Sequence, residues 1–90
     1  MIDRNKAIAA VGDKGVELYE KILSNVQKFD GIGSSGRIGG KLSVIYKIKE
    51  KGSIYVDIYK DKVDVQFGDR PNRSMSHEEC IIELERFLGK

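Results

Sequence analysis

The spacing of apolar residues divides the chain into a helical first third, an alternating middle and a helical end. In the first third, apolar residues recur every three or four positions, which is typical of a helix with one buried face. These residues are Ile8, Val11, Leu18, Ile22, Val26 and Phe29, with Tyr19 and Leu23 widening the same stripe. The spacing predicts helical structure between about residues 3 and 29.

Two glycines interrupt this helical pattern and leave two interpretations open. Gly12 and Gly15 each cost about 1 kcal/mol relative to alanine in a helix interior. Either one long helix places its glycines against a neighbouring element, or a short helix ends near Gly12 and a main helix begins at about Asp13. We favour the second interpretation slightly, because Asp13 can act as an N-cap. Asp30 and Gly31 are expected to close the helix.

Between residues 42 and 67 the apolar period changes to two, which is typical of half-buried strands. Turns are expected at 50–53 and 60–62, so the segment is predicted to be a three-stranded antiparallel meander. The segment 68–74, with the only proline, is predicted to be a loop. The aliphatic face of the meander is formed by Leu42, Val44, Tyr46, Ile48, Ile54, Val56, Ile58, Val63, Val65 and Phe67.

The last helix has a strong start signal and a clear end. Ser76 followed by Glu79 forms a capping box, and Gly89 is a typical C-terminal glycine. The predicted fold is therefore a two-layer α+β domain of order α-β-β-β-α, a single domain over residues 1–90. The two helices cover one sheet face and leave the other bare.

Composition narrows the function classes without selecting one. The chain has 90 residues, 40% hydrophobic and 33% charged, which is typical of one ordinary folded domain. No apolar run approaches the roughly 20 residues of a membrane span, and the charged N-terminus predicts no secretion signal. Cys80 is the only cysteine, which favours a cytoplasmic protein, and one histidine with one cysteine predicts no metal site. No cofactor is expected.

The stretch from Gly31 to Lys41 holds five of the ten glycines and is the first candidate site. It fails as a P-loop, because Ser35 occupies the position of the first glycine and the lysine precedes a strand. Its amides can still form an anion-binding nest, with Arg37 and Lys41 adding positive charge. The alternative is a flexible connector that binds nothing. The 60–62 turn is expected at the same end of the sheet. The predicted ligand-binding residues are Gly33, Ser34, Ser35, Gly36, Arg37, Lys41, Lys60 and Lys62.

The bare sheet face is the second candidate site. Tyrosines flanked by lysines stack on nucleic-acid bases, and they are also favoured at protein interfaces. The alternative for the same residues is ordinary cross-strand pairing on a solvated face. The predicted interface residues are Ile45, Lys47, Tyr55 and Tyr59.

The sequence predicts no enzyme. Cys80 lies on an apolar stripe, and His77 is expected to be a solvent-exposed residue of the first helical turn. Arg70, Arg73 and His77 are expected at the sheet end opposite the glycine-rich stretch. The helix-sheet-helix order resembles that of double-stranded-RNA-binding domains. That family has lysines at the start of its last helix, where this chain has the carboxylates of Glu78 and Glu79. We therefore assign no family.

The leading hypothesis from sequence is a non-catalytic binding or regulatory protein that holds an anionic partner, a nucleotide or a nucleic-acid backbone, at the glycine-rich basic loop. The alternative is a protein-interaction module, an inhibitor or adaptor of the kind that phages and plasmids carry. That module would use the exposed sheet face or the glycine-rich stretch against a protein partner or a second copy of itself.

Overall fold

The computed structural model describes residues 2–89 and has the predicted α+β class. Its helices are α1 (Arg4–Val26) and α2 (His77–Leu88). Its strands are β1 (Gly31–Ile38), β2 (Lys41–Ile48), β3 (Gly52–Ile58), β4 (Val63–Phe67) and β5 (Arg73–Met75). They form one antiparallel sheet in which each strand pairs with the next along the chain. The sheet therefore has five strands where the sequence predicted three.

The two additional strands lie at the two edges of the sheet, in segments that were predicted to be loops. β1 is most of the glycine-rich stretch, and β5 lies at the end of the expected 68–74 loop. Both segments have low strand propensity, but the N–H and C=O groups of β2 and β4 require partners. Pairing with the adjacent segment satisfies these groups, so the sheet extends by one strand at each side.

Helix α1 combines features of both sequence interpretations. Asp3 caps it by accepting a 3.2 Å hydrogen bond from the Lys6 amide. At Gly12 the backbone (φ 78°, ψ 171°) is not helical, and the axis kinks there. Gly15, by contrast, is buried, and a Cβ atom on it would lie 2.8 Å from the Val11 Cβ of the same helix and 3.4 Å from the Ile58 Cγ2 on β3. The helix thus breaks at Gly12, as the second interpretation expected, and packs closely at Gly15, as the first did.

The end of α1 differs from the prediction. The C-cap is Gln27, whose amide donates to the Leu23 carbonyl at 3.0 Å, rather than the expected Asp30-Gly31 pair. Residues 27–30 form an irregular turn after the helix, and Phe29 in this turn packs against the core.

The hydrophobic core lies between the helices and one face of the sheet. α1 packs on β2 and β3, whereas α2 packs on β4 and on α1. The predicted aliphatic sheet face is buried here, apart from the half-buried Tyr46. Cys80 is also buried, and its burial raises the pKa of the thiol to about 12, so the thiol stays protonated at neutral pH.

Helix α2 begins and ends as predicted, but its histidine is not solvent-exposed. The Glu79 amide donates to Ser76 Oγ at 3.1 Å, and Gly89 ends the helix at φ 81°. His77 is half-buried, and its Nε2 donates to the Tyr59 carbonyl at 2.9 Å. Because β5 runs back along β4, His77 lies at the sheet end of the β3–β4 turn, not at the opposite end.

We predict that Gly12→Ala destabilises the protein by about 1–3 kcal/mol, because the backbone region of Gly12 is almost exclusive to glycine. A regular helix at this position would give the opposite sign, a gain of about 1 kcal/mol. Chemical denaturation measures the difference, with Ser24→Ala at an exposed position of α1 as the control. A stabilised Gly12→Ala variant would show that the kink is absent.

A second prediction concerns Glu78, which contacts Lys14 across the helix pair at 3.2 Å. A hydrogen bond from its own backbone amide and the Lys14 ammonium lower the pKa of this carboxyl from about 4.5. Because folding lowers this pKa, the resulting stabilisation is complete above the unfolded-state value and is lost as the pH falls through the folded-state value.

Glu78→Gln should therefore lower Tm at pH 7 and lower it less near pH 3. Thermal unfolding at several pH values measures this difference, with the exposed Glu85→Gln as the control. An equal decrease in Tm for Glu78→Gln at both pH values would contradict the claim that folding lowers the pKa of Glu78.

Candidate functional site

The glycine-rich stretch forms a hairpin with β2. The two-residue turn Gly39-Gly40 joins the strands, and Gly39 has φ 60°, the positive value that a type II′ turn needs at its first central position. The pairing runs from Ile38 opposite Lys41 to Gly31 opposite Ile48. The predicted flexible loop is thus an eight-residue edge strand.

Two glycines of β1 are required by its close approach to β2. A Cβ atom on Gly33 would lie 2.1 Å from the Ile45 carbonyl oxygen, and one on Gly31 would lie 2.6 Å from the Lys47 carbonyl oxygen. Both contacts are with backbone, which cannot move aside as a flexible side chain can. Gly36 differs, because a Cβ atom there would meet nothing within 4 Å. Glycine at positions 31 and 33 therefore determines how β1 attaches to the sheet.

The outer edge of β1 carries unpaired backbone groups. The Lys49 amide donates to the Asp30 carbonyl at 2.8 Å, so this pair is of the hydrogen-bonded type. Hydrogen-bonded and non-hydrogen-bonded pairs alternate along an antiparallel ladder. The even-numbered residues of β1 consequently bond to β2. The N–H and C=O groups that point outward are those of Gly31, Gly33, Ser35 and Arg37.

Exposed apolar side chains are concentrated beside this edge. The sheet face opposite the helices, which we call the open face, carries Ile32 and Ile38 on β1, Ile45 on β2 and Tyr55 on β3. These residues are 77%, 62%, 44% and 46% exposed, respectively. Among the large apolar residues of 2–89, the only other one so exposed is Ile82 on α2. Apolar patches of this kind on an otherwise polar surface mark interaction sites.

The other edge of the sheet is protected. β5 has only three residues, and its side chains are engaged: Arg73 pairs with Glu83 at 3.0 Å, and Ser74 donates to Asp64 at 2.5 Å. Short edge strands that carry charge resist pairing with other chains. β1 is long, has one charged residue and exposes both its faces. The β1 edge is therefore open to the addition of another strand, whereas the β5 edge is not.

The residues of the predicted anion site lie at one end of the sheet but are largely engaged with other groups. The amides of residues 33–36 belong to the extended strand β1 instead of a loop. Arg37 donates to the Gly39 carbonyl at 2.9 Å. Lys41 pairs with Asp57 at 3.2 Å, and Lys62 pairs with Asp64 at 3.5 Å, while Lys60 is exposed in the β3–β4 turn.

The electrostatics of this end follow from the two lysine–aspartate pairs. The hydrogen bond and the charge of Asp57 raise the pKa of Lys41, so the ammonium is favoured. Lys62 also lies over the Tyr59 ring, 5.2 Å from its centroid. Lys41 is therefore paired with a carboxylate on the neighbouring strand and Lys62 with one on the strand that it precedes, and an anionic ligand would compete with both carboxylates.

The predicted interface residues are partly brought together. Ile45 and Tyr55 are directly opposite each other on the open face, and Lys47 follows on β2. Tyr59 lies just beyond β3, half-buried near Lys62. Sequence reasoning missed Ile32 and Ile38, the two most exposed large hydrophobic residues within 2–89. The Gly-Gly pair at 39–40 could have indicated that residues 31–38 form a strand, because two glycines between strands favour a hairpin.

The described residues show no group of His, Cys, Asp or Glu side chains that could hold a metal ion. Within the same range, neither helix is both long and apolar enough to cross a membrane. No family model matches the chain, and neither a curated protein nor a solved structure is significantly similar to it.

We predict that Gly33→Ala loosens β1 from β2, whereas Gly36→Ala leaves the pairing intact. The added methyl group would clash with the Ile45 carbonyl in the first case and meet open space in the second. Amide hydrogen exchange of the Ile45 and Lys47 backbone should accelerate at least tenfold in Gly33→Ala only, which corresponds to a local loss of about 1.4 kcal/mol. Equal exchange in both variants would contradict the required close approach.

Proposed function

We propose that the protein is a non-catalytic interaction module that binds an extended segment of another polypeptide as an additional strand beside β1. The observation that carries this proposal is the eight-residue free edge with its outward backbone groups and its exposed isoleucines. Strand addition to an exposed sheet edge is a recurrent mode of peptide recognition. This is the second of the two sequence hypotheses, the interaction module, with β1 as its binding element.

The two parts of this edge would contribute differently to binding. The outward N–H and C=O groups of β1 give main-chain hydrogen bonds, which are independent of the partner's sequence. Ile32 and Ile38 lie on the open face near the two ends of the strand and select apolar side chains at matching positions. The expected ligand is therefore an extended peptide with apolar residues near both ends and small residues between them.

A non-catalytic role is supported by the positions of the reactive side chains. Cys80 is buried in the core as a protonated thiol, and His77 donates to a backbone carbonyl. Neither side chain hydrogen-bonds to the other or to a hydroxyl or carboxylate of the described residues, so these two groups form no nucleophile–base pair.

Anion binding at Arg37, Lys41, Lys60 and Lys62 stays a prediction. Lys60 supports it, because this lysine is exposed and has no ion pair among the described residues. An anion bound there must compete with Asp57 and Asp64 for two of the other cations. The two modes differ in their response to salt: phosphate binding weakens steeply with ionic strength, whereas strand pairing does not.

The proposed function is tested by selecting peptides from a random display library on the immobilised protein and measuring their affinities. Ser35→Pro removes one outward N–H from the edge, and proline is tolerated on edge strands. Ser35→Ala is the matched control, because it keeps that N–H. We expect affinity to fall at least tenfold in Ser35→Pro and to stay within about twofold in Ser35→Ala.

Two outcomes would contradict the proposal. One is a set of selected peptides that bind wild type and Ser35→Pro equally. The other is binding that survives Ser35→Pro but is lost in 0.5 M salt, roughly where exposed charges are strongly screened, and in Arg37→Ala with Lys41→Ala. The second outcome would favour the anion site.

A further inference from the structure

We infer that the strand added beside β1 is β1 of a second copy of this chain, with a twofold axis through Ser35. The inference rests on the proposed function and names its partner. The result is one continuous sheet of ten strands, five from each copy. Three properties of β1 carry the inference: its outward backbone groups, its side-chain pattern and its position relative to the helices.

The outward backbone groups of β1 are compatible with self-pairing. They belong to odd-numbered residues, so hydrogen-bonded pairs between two antiparallel copies must join odd to odd. Such pairing keeps the open faces of both copies on the same side of the sheet. One such register places Ser35 opposite Ser35 of the second copy and Gly33 opposite Arg37.

This register also pairs the exposed isoleucines. Ile32 lies opposite Ile38 of the second copy on the open face, and the twofold axis repeats the contact at the other end. Both contacts fall at non-hydrogen-bonded positions, where opposing side chains are closest. The most exposed apolar side chains of β1 thus cover each other, and apolar cross-strand pairs stabilise sheets.

Charge and steric fit favour the same register. The one charged residue of β1, Arg37, faces a glycine of the second copy, so no like charges are opposed. Gly36 lies opposite Ser34 of the second copy, and the fold of a single copy gives no reason for a glycine at that position. Glycine in a strand is typical of a place where another backbone approaches closely.

The helices leave room for this arrangement. α1 packs on β2 and β3 and not over β1, whose residues are exposed except for the half-exposed Gly36. At least three strand spacings, about 14 Å, would therefore separate the two α1 helices. Packed helices lie about 8–10 Å apart, so the two copies do not collide.

Sedimentation velocity across protein concentrations tests the association. A single strand pair lies at the small end of interface sizes, so we expect a dimer with Kd on the order of micromolar. Ile32→Lys and Ile38→Glu should each weaken the dimer more than tenfold, whereas Ile82→Lys on α2 should not. Mixing the two weakened variants should restore association, because the register then places the lysine opposite the glutamate.

Disulfide cross-linking tests the register itself. In this register the Ser35 Cα atoms of the two copies lie about 5.5 Å apart, within disulfide range. Ser35→Cys should therefore form a covalent dimer under mild oxidation. Ser34→Cys should not, since Ser34 faces Gly36 of the second copy. The buried Cys80 does not interfere.

The outcomes separate this inference from the proposed function. Wild type that stays monomeric to millimolar concentration, or a dimer unaffected by Ile32→Lys, would overturn the self-pairing. Preferential cross-linking of Ser34→Cys would overturn the register. If wild type is monomeric while selected peptides still depend on the Ser35 N–H, the proposed function stands and the inference fails. If the peptides also fail, both are wrong.

Discussion

The attachment of β1 to β2 is the constraint on which the rest of this structure depends. Glycine at positions 31 and 33 allows two backbones to approach at a distance that no side chain would permit. The same residues leave the helix side of β1 without apolar side chains to bury, so the helices have nothing to cover there. The result is a strand held by its neighbour through backbone contacts and otherwise exposed on both faces and along its outer edge.

The residues that stabilise the domain are therefore different from the residues that form its candidate site. The core is formed by α1, α2 and the central strands, where the apolar face of the sheet is closed from solvent. Two lysines at one end of the sheet are paired with carboxylates of the open face, Lys41 with Asp57 on the neighbouring strand and Lys62 with Asp64 two residues further along the chain. In the part of the chain that the structure describes, the region beside β1 is the one that exposes both large apolar side chains and an unpaired strand edge. An exposed edge of this length favours association with another strand unless it is protected, and β5 shows the protection that β1 lacks.

The sequence predicted most of the interior and little of the edge. The capping box at Ser76 and Glu79 and the alternation through β2, β3 and β4 are local signals, and each was confirmed. β1 was predicted to be a loop, because glycine and serine have low strand propensity and its strand pairing is decided by the unpaired backbone of β2. The kink at Gly12, where φ is positive, was anticipated as a helix break. The hydrogen bond of His77 to Tyr59 depends on β5, which no local pattern indicated.

Residue-resolved amide hydrogen exchange by NMR, measured as a function of protein concentration, tests the central claim most directly. If the edge of β1 binds another strand, the outward amides of Gly33, Ser35 and Arg37 gain protection as concentration rises or as a bound peptide is added. The inward amides of Ile32, Ser34 and Gly36 are already bonded to β2 and change little. Fast exchange of the outward amides under every condition would contradict strand addition at β1.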